Sequence, residues 1–182
     1  MPPSDTIAGV YDVAFLRGIN VGGHRVTNSR LHELFESAGV VDVTTFQAAG
    51  NVVFEPGSAD RSSIESALER GLGYGVAAYI RTAAELQKVA TGGPFARTDV
   101  PDGTSLLVTF LHEQPSAKLR RAVAAGSTPE DDVCVAGREL YWLARKKFSG
   151  STVDMKAIAK LLGDPGTNRN ITTIRRIVDK FG

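Results

Sequence analysis

Between residues 10 and 80, two amphipathic helical stretches interrupt four β-rich runs in the order strand, helix, strand, strand, helix, strand. That order predicts a split βαβ, or ferredoxin-like, unit, in which an antiparallel sheet carries both helices on one face. Residues 10–17, "VYDVAFLR", read as a buried strand. Leu31, Leu34, Phe35 and Ala38 fall on one side of a helix over 28–38, and Gly39 supplies its stop. "VVDVTTFQ" and "NVVFE" meet at "AAGN" as a hairpin or bulged turn. Ser62 and Glu65 have capping-box spacing beside the stripe of Ile64, Leu68 and Leu72, which predicts a helix near 60–72. "GVAAYIR" then closes the unit.

Thr82 and Glu85 form a second capping-box pair and open a linking helix with Leu86 and Val89 on its buried side. It ends in "TGGP", which sets the expected division into residues 9–93 and 94–182, packed as one compact domain. After "FARTDVPDGT", which reads as mobile, come the strand "SLLVTFLH" and a helix around Ser116–Ala125. The strands "DVCVA" and "ELYWLA" then turn at Gly137. A helix over 152–162 follows, with Ser151 and Asp154 in a capping pattern, Ile158 among its core residues and Gly163 as its stop. The expected fold class is therefore α/β (α+β): a ferredoxin-like βαββαβ unit, then a second, incomplete ferredoxin-like unit and C-terminal helices. The last helix is marked by Ile171, Ile174, Ile177, Val178 and Phe181, with Arg175, Arg176 and Lys180 on its outer side.

A hydrophobic content of 42% with 23% charged residues belongs to an ordinary soluble domain. No apolar stretch approaches the ~20 residues of a membrane helix, so no membrane partner is expected. "MPPSDTIAG" has neither a basic start nor an apolar core and is expected to be a frayed tail, not a secretion signal. The single cysteine, Cys134, sits in a strand, so there is no disulfide framework, and a buried reduced thiol is expected. Together these features imply a cytoplasmic protein. Charge is uneven: from Arg138 onward there are ten Lys/Arg against four Asp/Glu, and before it eleven against sixteen. A basic end on an acidic body suits an anionic partner.

Familiar catalytic patterns are absent. His24, His32 and His112 lack metal-pair spacing, so neither a metal nor another cofactor is expected. There is no G-x-S-x-G elbow, phosphate-loop signature or G-x-G-x-x-G fingerprint. What remains is a set of arginine, amide and glycine positions: Arg17, Gly18, Asn20, Gly22 and Gly23, then Gln47, Gly50 and Asn51, then Thr167, Arg169, Asn170 and Thr173. Two readings fit the first group. One is a wide glycine-permitted turn cross-linked by Asn20. The other is an amide-lined cradle for a phosphate or carboxylate, with Arg17 supplying charge. In the last group, Thr167 or Asn170 is placed to cap the final helix, and Arg169 adds charge at that same end.

"LRGINVGG", "Q-x-x-GNVVF" and "T-x-RN-x-x-T", in that order, resemble the domain of unknown function 1697 family (DUF 1697) from about Tyr11 to Phe181. The resemblance implies an α/β protein with ferredoxin-like elements and no established biochemical activity. It places the opening motif on Leu16 to Gly23, the second on Gln47 and Gly50 to Phe54, and the third on Thr167, Arg169, Asn170 and Thr173. Ala49 stands where relatives often carry serine, and Ile171 where many carry tryptophan. The functional reading is binding of a small anionic, phosphate- or carboxylate-bearing ligand, with an enzymatic step left open. A non-catalytic protein-interaction module and an RNA- or DNA-binding ferredoxin-like module are the alternatives. Nucleic acid is the less favoured partner, because "DVAFLRG" and "NVVFEPG" lack the aromatic pattern of RNA-binding sheets.

Overall fold

The structure, a computed structural model, describes residues 10–20, 22–47, 50–96, 105–145 and 151–182. The expected N-terminal tail, position 49 and most of the 95–104 stretch lie outside the described residues. The chain divides into two compact units, Met1–Leu86 with Ile177–Gly182, and Gln87–Arg176. Among the described residues no helix is long and apolar enough to cross a membrane.

The first unit follows the expected order: β1 (Asp12–Arg17), α1 (Asn28–Ser37), β2 (Thr44–Thr45), β3 (Asn51–Phe54), α2 (Arg61–Leu72) and β4 (Ala77–Thr82). Its sheet is antiparallel, in the order β2-β3-β1-β4. Strand alternation sends Ala14, Leu16, Val52, Phe54 and Ala78 to one face, where they pack with Leu31, Leu34 and Phe35 of α1 and Ile64 and Leu68 of α2. Val13, Phe15, Val53, Tyr79 and Arg81 alternate onto the other face, and they are buried as well. Each fully buried aliphatic or aromatic side chain contributes roughly 1.5–3 kcal/mol of transfer free energy, so both faces stabilise the sheet.

Helix starts follow side-chain acceptors. Thr27 accepts from the Arg30 N–H at 3.1 Å to open α1. Ser62 and Glu65, expected to frame α2, do not cap it. Asp60 takes the Ser63 N–H at 2.8 Å instead, a charged acceptor at the start of the turn. Glu65 accepts from the Ala78 N–H at 2.8 Å and ties α2 to β4. The Thr82–Glu85 pair is a true capping box for α3 (Ala83–Ala90). Glu85 accepts from the Thr82 N–H at 3.0 Å, and Thr82 Oγ1 accepts from the Glu85 N–H at 3.2 Å.

The second unit holds β5 (Ser105–Phe110), α4 (Ala117–Ala124), β6 (Asp131–Ala136), β7 (Glu139–Ala144), α5 (Met155–Leu162) and β8 (Thr167–Asn170), and α6 (Ile171–Phe181) starts within it. Its sheet order is β6-β7-β5-β8, again antiparallel, so the unit is complete and not short of a strand. "TNRN" has no apolar alternation to announce a strand. Its extended form comes from the ladder with β5, where Leu107 to Phe110 pair with Asn170 to Thr167. Ser151 does not cap α5. Asp154 does, accepting from the Ala157 N–H at 2.9 Å, and Ser151 accepts from Val153.

The two units share one plan down to single bonds. Val13 to Leu16 read "VAFL" and Val108 to Leu111 read "VTFL". The Leu16 N–H donates to the Gly50 carbonyl at 2.8 Å, and the Leu111 N–H to the Arg138 carbonyl at 2.8 Å. Val13 pairs with Arg81, and Val108 with Arg169. In each unit a buried or half-buried arginine stands one residue before the polar residue that opens the following helix, Thr82 or Asn170.

Asp12 pairs with Thr82 across β1 and β4, and its Oδ1 is buried with no hydrogen-bond partner among the described residues. Burial raises its pKa above the ordinary carboxylate range. The Gly57 N–H opposes this, and the nearby Glu85 charge reinforces it. The native chain therefore holds this proton more tightly than the unfolded chain. The carboxyl weakens folding as pH rises from its unfolded pKa through the raised native one, and the penalty is complete above that. Asp12→Asn is expected to be more stable than the parent at neutral pH. That advantage should shrink near pH 3, below the unfolded value of about 3.9. Urea midpoints at the two pH values measure it; an equal gain at both would rule out the electrostatic cause.

Candidate functional site

The opening motif forms a tied turn at the end of β1. Arg17 is exposed at the strand's last position, and Gly18, Asn20, Gly22 and Gly23 follow with φ of 85°, 56°, 62° and 86°. Position 21 lies outside the described residues. Asn20 Oδ1 accepts from the Val26 N–H at 2.7 Å and closes the loop on itself. Ile19 turns inward and is buried.

The second motif backs onto the first. A Cβ at Gly50 would stand 2.6 Å from Ile19 Cγ2 and 3.1 Å from Leu16 Cβ, with φ already at +70°, so only glycine fits there. Asn51 is fully buried; its Nδ2 donates to the Phe46 carbonyl at 3.0 Å, and the Phe46 N–H donates to the Asn51 carbonyl at 2.8 Å. Gln47 is exposed, with φ of 59°. The opening and second motifs thus meet in one node of the first unit.

The third motif lies in the second unit. Thr167 is buried, and its Oγ1 accepts from Arg169 Nη1 at 2.9 Å, which also donates to the Asn168 carbonyl at 2.7 Å. Desolvation lowers the Arg169 pKa to about 10, so the guanidinium stays charged at neutral pH. Asn170 Oδ1 accepts from the Thr172 N–H at 2.9 Å and caps α6, and Thr173 is half-buried within that helix. Arg81, which the sequence reading did not single out, is only 1% exposed, and its Nη1 donates to the Ile80 carbonyl at 2.8 Å.

A cavity of about 240 Å³ opens at one end of the first unit's sheet, and of its lining residues only Val53 and Phe54 belong to a motif, the second. The rings of Tyr11, Phe54 and Phe181 and the aliphatic surfaces of Val10, Val53 and Pro56 line it, together with Asp42, Thr44 and Glu55. Phe181 returns from the last helix, with its ring centroid 6.0 Å from Tyr11 and 6.2 Å from Phe46. Lys180 Nζ stands 5.2 Å from the centre of the Phe181 ring. The Glu55 N–H donates to the Val41 carbonyl at 3.0 Å, and Asp42 follows with φ of 52°. That bond brings the two acidic residues to the same end of β3.

Tyr11 is the chemically notable member of this lining. It is 2% exposed, and its hydroxyl has no hydrogen-bond partner among the described residues. Burial pushes the phenol pKa up, so it remains a neutral O–H. Among the described residues no group of three or more His, Cys, Asp or Glu could hold a metal ion. Besides Val53 and Phe54 of the second motif, the sequence signal for this cavity was an acidic residue interrupting or ending each apolar run, in "VVDV" and "VVFE". Phe181, more than a hundred residues further along the chain, gave none.

Residues 11–141 match the sequence model of a family described as "Protein of unknown function (DUF1697)". The first two motifs fall inside that span and the third outside it. No curated protein matches the chain significantly. Among solved structures, a conserved bacterial protein from Streptococcus pneumoniae is similar in fold, with a TM-score of 0.66 and 16% identity over 94% of this chain and 98% of that one.

Gly50→Ala combines a left-handed backbone with a collision against Ile19, whereas Gly23→Ala meets nothing within 4 Å. Gly23→Ala is expected to cost about 1 kcal/mol, from the backbone alone. Gly50→Ala should cost about 2 kcal/mol or more, because overpacking adds to that strain. Denaturant titration of both variants checks the difference, and equal losses would show that the Ile19 contact relaxes freely.

Proposed function

The chain belongs to DUF1697, a family of unknown function, and we propose from its own geometry that it binds a small organic molecule in the cavity lined by Tyr11 and Phe181. The observation that carries this reading is the cavity itself, lined by the rings of Tyr11, Phe54 and Phe181 with Asp42, Thr44 and Glu55 beside them. Apolar walls with a few polar groups are the usual make-up of small-molecule sites.

The anionic ligand expected from sequence draws its support from Arg17 beside the glycine turn and from the charged Arg169. It is the weaker reading. Asn20, Asn51 and Asn170 all hydrogen-bond the backbone of their own turns, and Arg169 donates to Thr167 and Asn168. Those contacts serve architecture first. Base stacking on either sheet is disfavoured because Phe15, Tyr79, Phe110 and Tyr141 are buried. A cytoplasmic setting suits the free, half-buried Cys134, whose thiol pKa is raised first by burial and then by the nearby Asp132 charge.

Protein-observed NMR with a library of single-ring fragments is expected to move the amide signals of Tyr11, Thr44, Val53 and Phe181 together. Tyr11→Phe removes only the hydroxyl. It should leave the fold as stable or up to about 1 kcal/mol more stable. A folded protein whose cavity signals no fragment moves would refute the reading.

A further inference from the structure

We infer that the outer side of α4 and α5 binds the phosphate backbone of double-stranded nucleic acid, a contact independent of the cavity. The two helices lie side by side on one face of the second sheet, where Val123 and Ile158 share a core with Val133 and Leu140. Together they carry Lys118, Arg120, Arg121, Lys156 and Lys160 and no acidic residue. Lys118 and Arg121 stand five and two residues before Val123, and Lys156 and Lys160 stand two residues to either side of Ile158. At about 100° per residue these four project from the side opposite the core, and all four are exposed. None of them forms an ion pair among the described residues. Arg120 is half-buried and donates to the Pro115 carbonyl at 3.1 Å, so it serves the fold. At the ends of α5, Asp154 accepts from the Ala157 N–H and Asp164 from the N–H groups of His112 and Gly166. Glu113 is exposed ahead of α4.

The charge belongs to this copy of the plan and not to the plan itself. α1 and α2 take the same places on the first sheet, and they carry Arg30, Arg61 and Arg70 against Glu33, Glu36, Glu65 and Glu69. A helix pair in this position therefore folds without a basic outer side. Of the polyanions such a side could meet, a duplex fits best. A helix lying on a membrane keeps an apolar face for the lipid. Those of α4 and α5 are used on the sheet, and Leu161 is the large apolar side chain the two helices leave exposed. Protein interfaces are centred on aromatic or large apolar anchors, and neither helix has an aromatic residue. The same lack removes the stacking platform that single strands use. A duplex asks only for cations within reach of its phosphates. Ala117, Ala122, Ala125 and Ala157 are the exposed neighbours, so nothing bulky holds a duplex away.

Fluorescence anisotropy with a short labelled DNA duplex, and with the RNA duplex of the same sequence, tests this. Binding to at least one of them is expected, with log affinity falling against log salt at a slope of about −3.6, about −0.9 for each of four contacts. In the double variant Lys156→Gln, Lys160→Gln the slope should fall to about −1.8, and low-salt affinity should drop on the order of tenfold or more. Arg61→Gln, Arg70→Gln removes the same charge from α2 and should change neither quantity. Equal losses in the two double variants would overturn the assignment to α4 and α5. Tighter binding to a single strand, to phosphatidylserine vesicles or to polyglutamate would overturn the duplex as partner. No binding to either duplex at low salt, by protein that circular dichroism shows to be folded, would overturn the inference as a whole.

Discussion

The hydrogen bond from the Leu16 N–H to the Gly50 carbonyl, 2.8 Å long, fixes the first unit at its tightest point. β1 is a central strand paired with β3 on one side and β4 on the other, so a shift at its end would disturb both ladders. Just beyond the bond the chain turns through Gly18 and brings Ile19 back against Gly50. Asn51, next in line, closes the β2–β3 connection through Phe46. One short stretch therefore sets strand pairing, loop path and core packing together, which is why glycines and asparagines concentrate there.

This has a consequence for function. Residues that look like a binding motif in the sequence are largely committed to their own backbone, because a tight node needs internal donors and acceptors. The cavity takes only Val53 and Phe54 from the motifs, and its other residues include a tyrosine ahead of β1, an aspartate before β2, a glutamate after β3 and a phenylalanine near the chain's end. None of these stands out locally. Their chemistry emerges only when sheet order brings β1, β2 and β3 side by side and the end of α6 meets Tyr11.

The difference between what was legible in the sequence and what was not follows the range of each interaction. The strand and helix order of the first unit, the apolar face of α1 and the Thr82–Glu85 capping box are all local patterns, and the structure has them. The cap of α2 was misread because Asp60 and Ser62 both offer acceptors, and the charged one nearer the helix start takes the amide. β8 was missed because four polar residues adopt strand geometry only through β5. Arg81 was invisible for a related reason: an arginine ending a strand normally reaches water, and its burial depends on what packs over that face. The motif residues Asn20, Asn51 and Asn170 were placed correctly in turns and caps. What the spacing could not decide was whether their amides would face inward to backbone or outward to a ligand.

Comparing the two copies of the plan isolates the reason for the glycine. The Leu16–Gly50 bond has its counterpart in the second unit between Leu111 and Arg138, at the same length. Arg138 carries a full side chain, and its φ is not among the positive values. The bond, and the end of the central strand pair it closes, therefore do not require glycine. In the second unit the positive φ falls one residue earlier, at Gly137, in the short turn that links β6 to β7. The first unit must instead seat Ile19 from the opening loop against the same backbone, and that contact leaves no room for a Cβ at Gly50. The glycine belongs to the loop and not to the sheet. It is the physical link between the first two motifs.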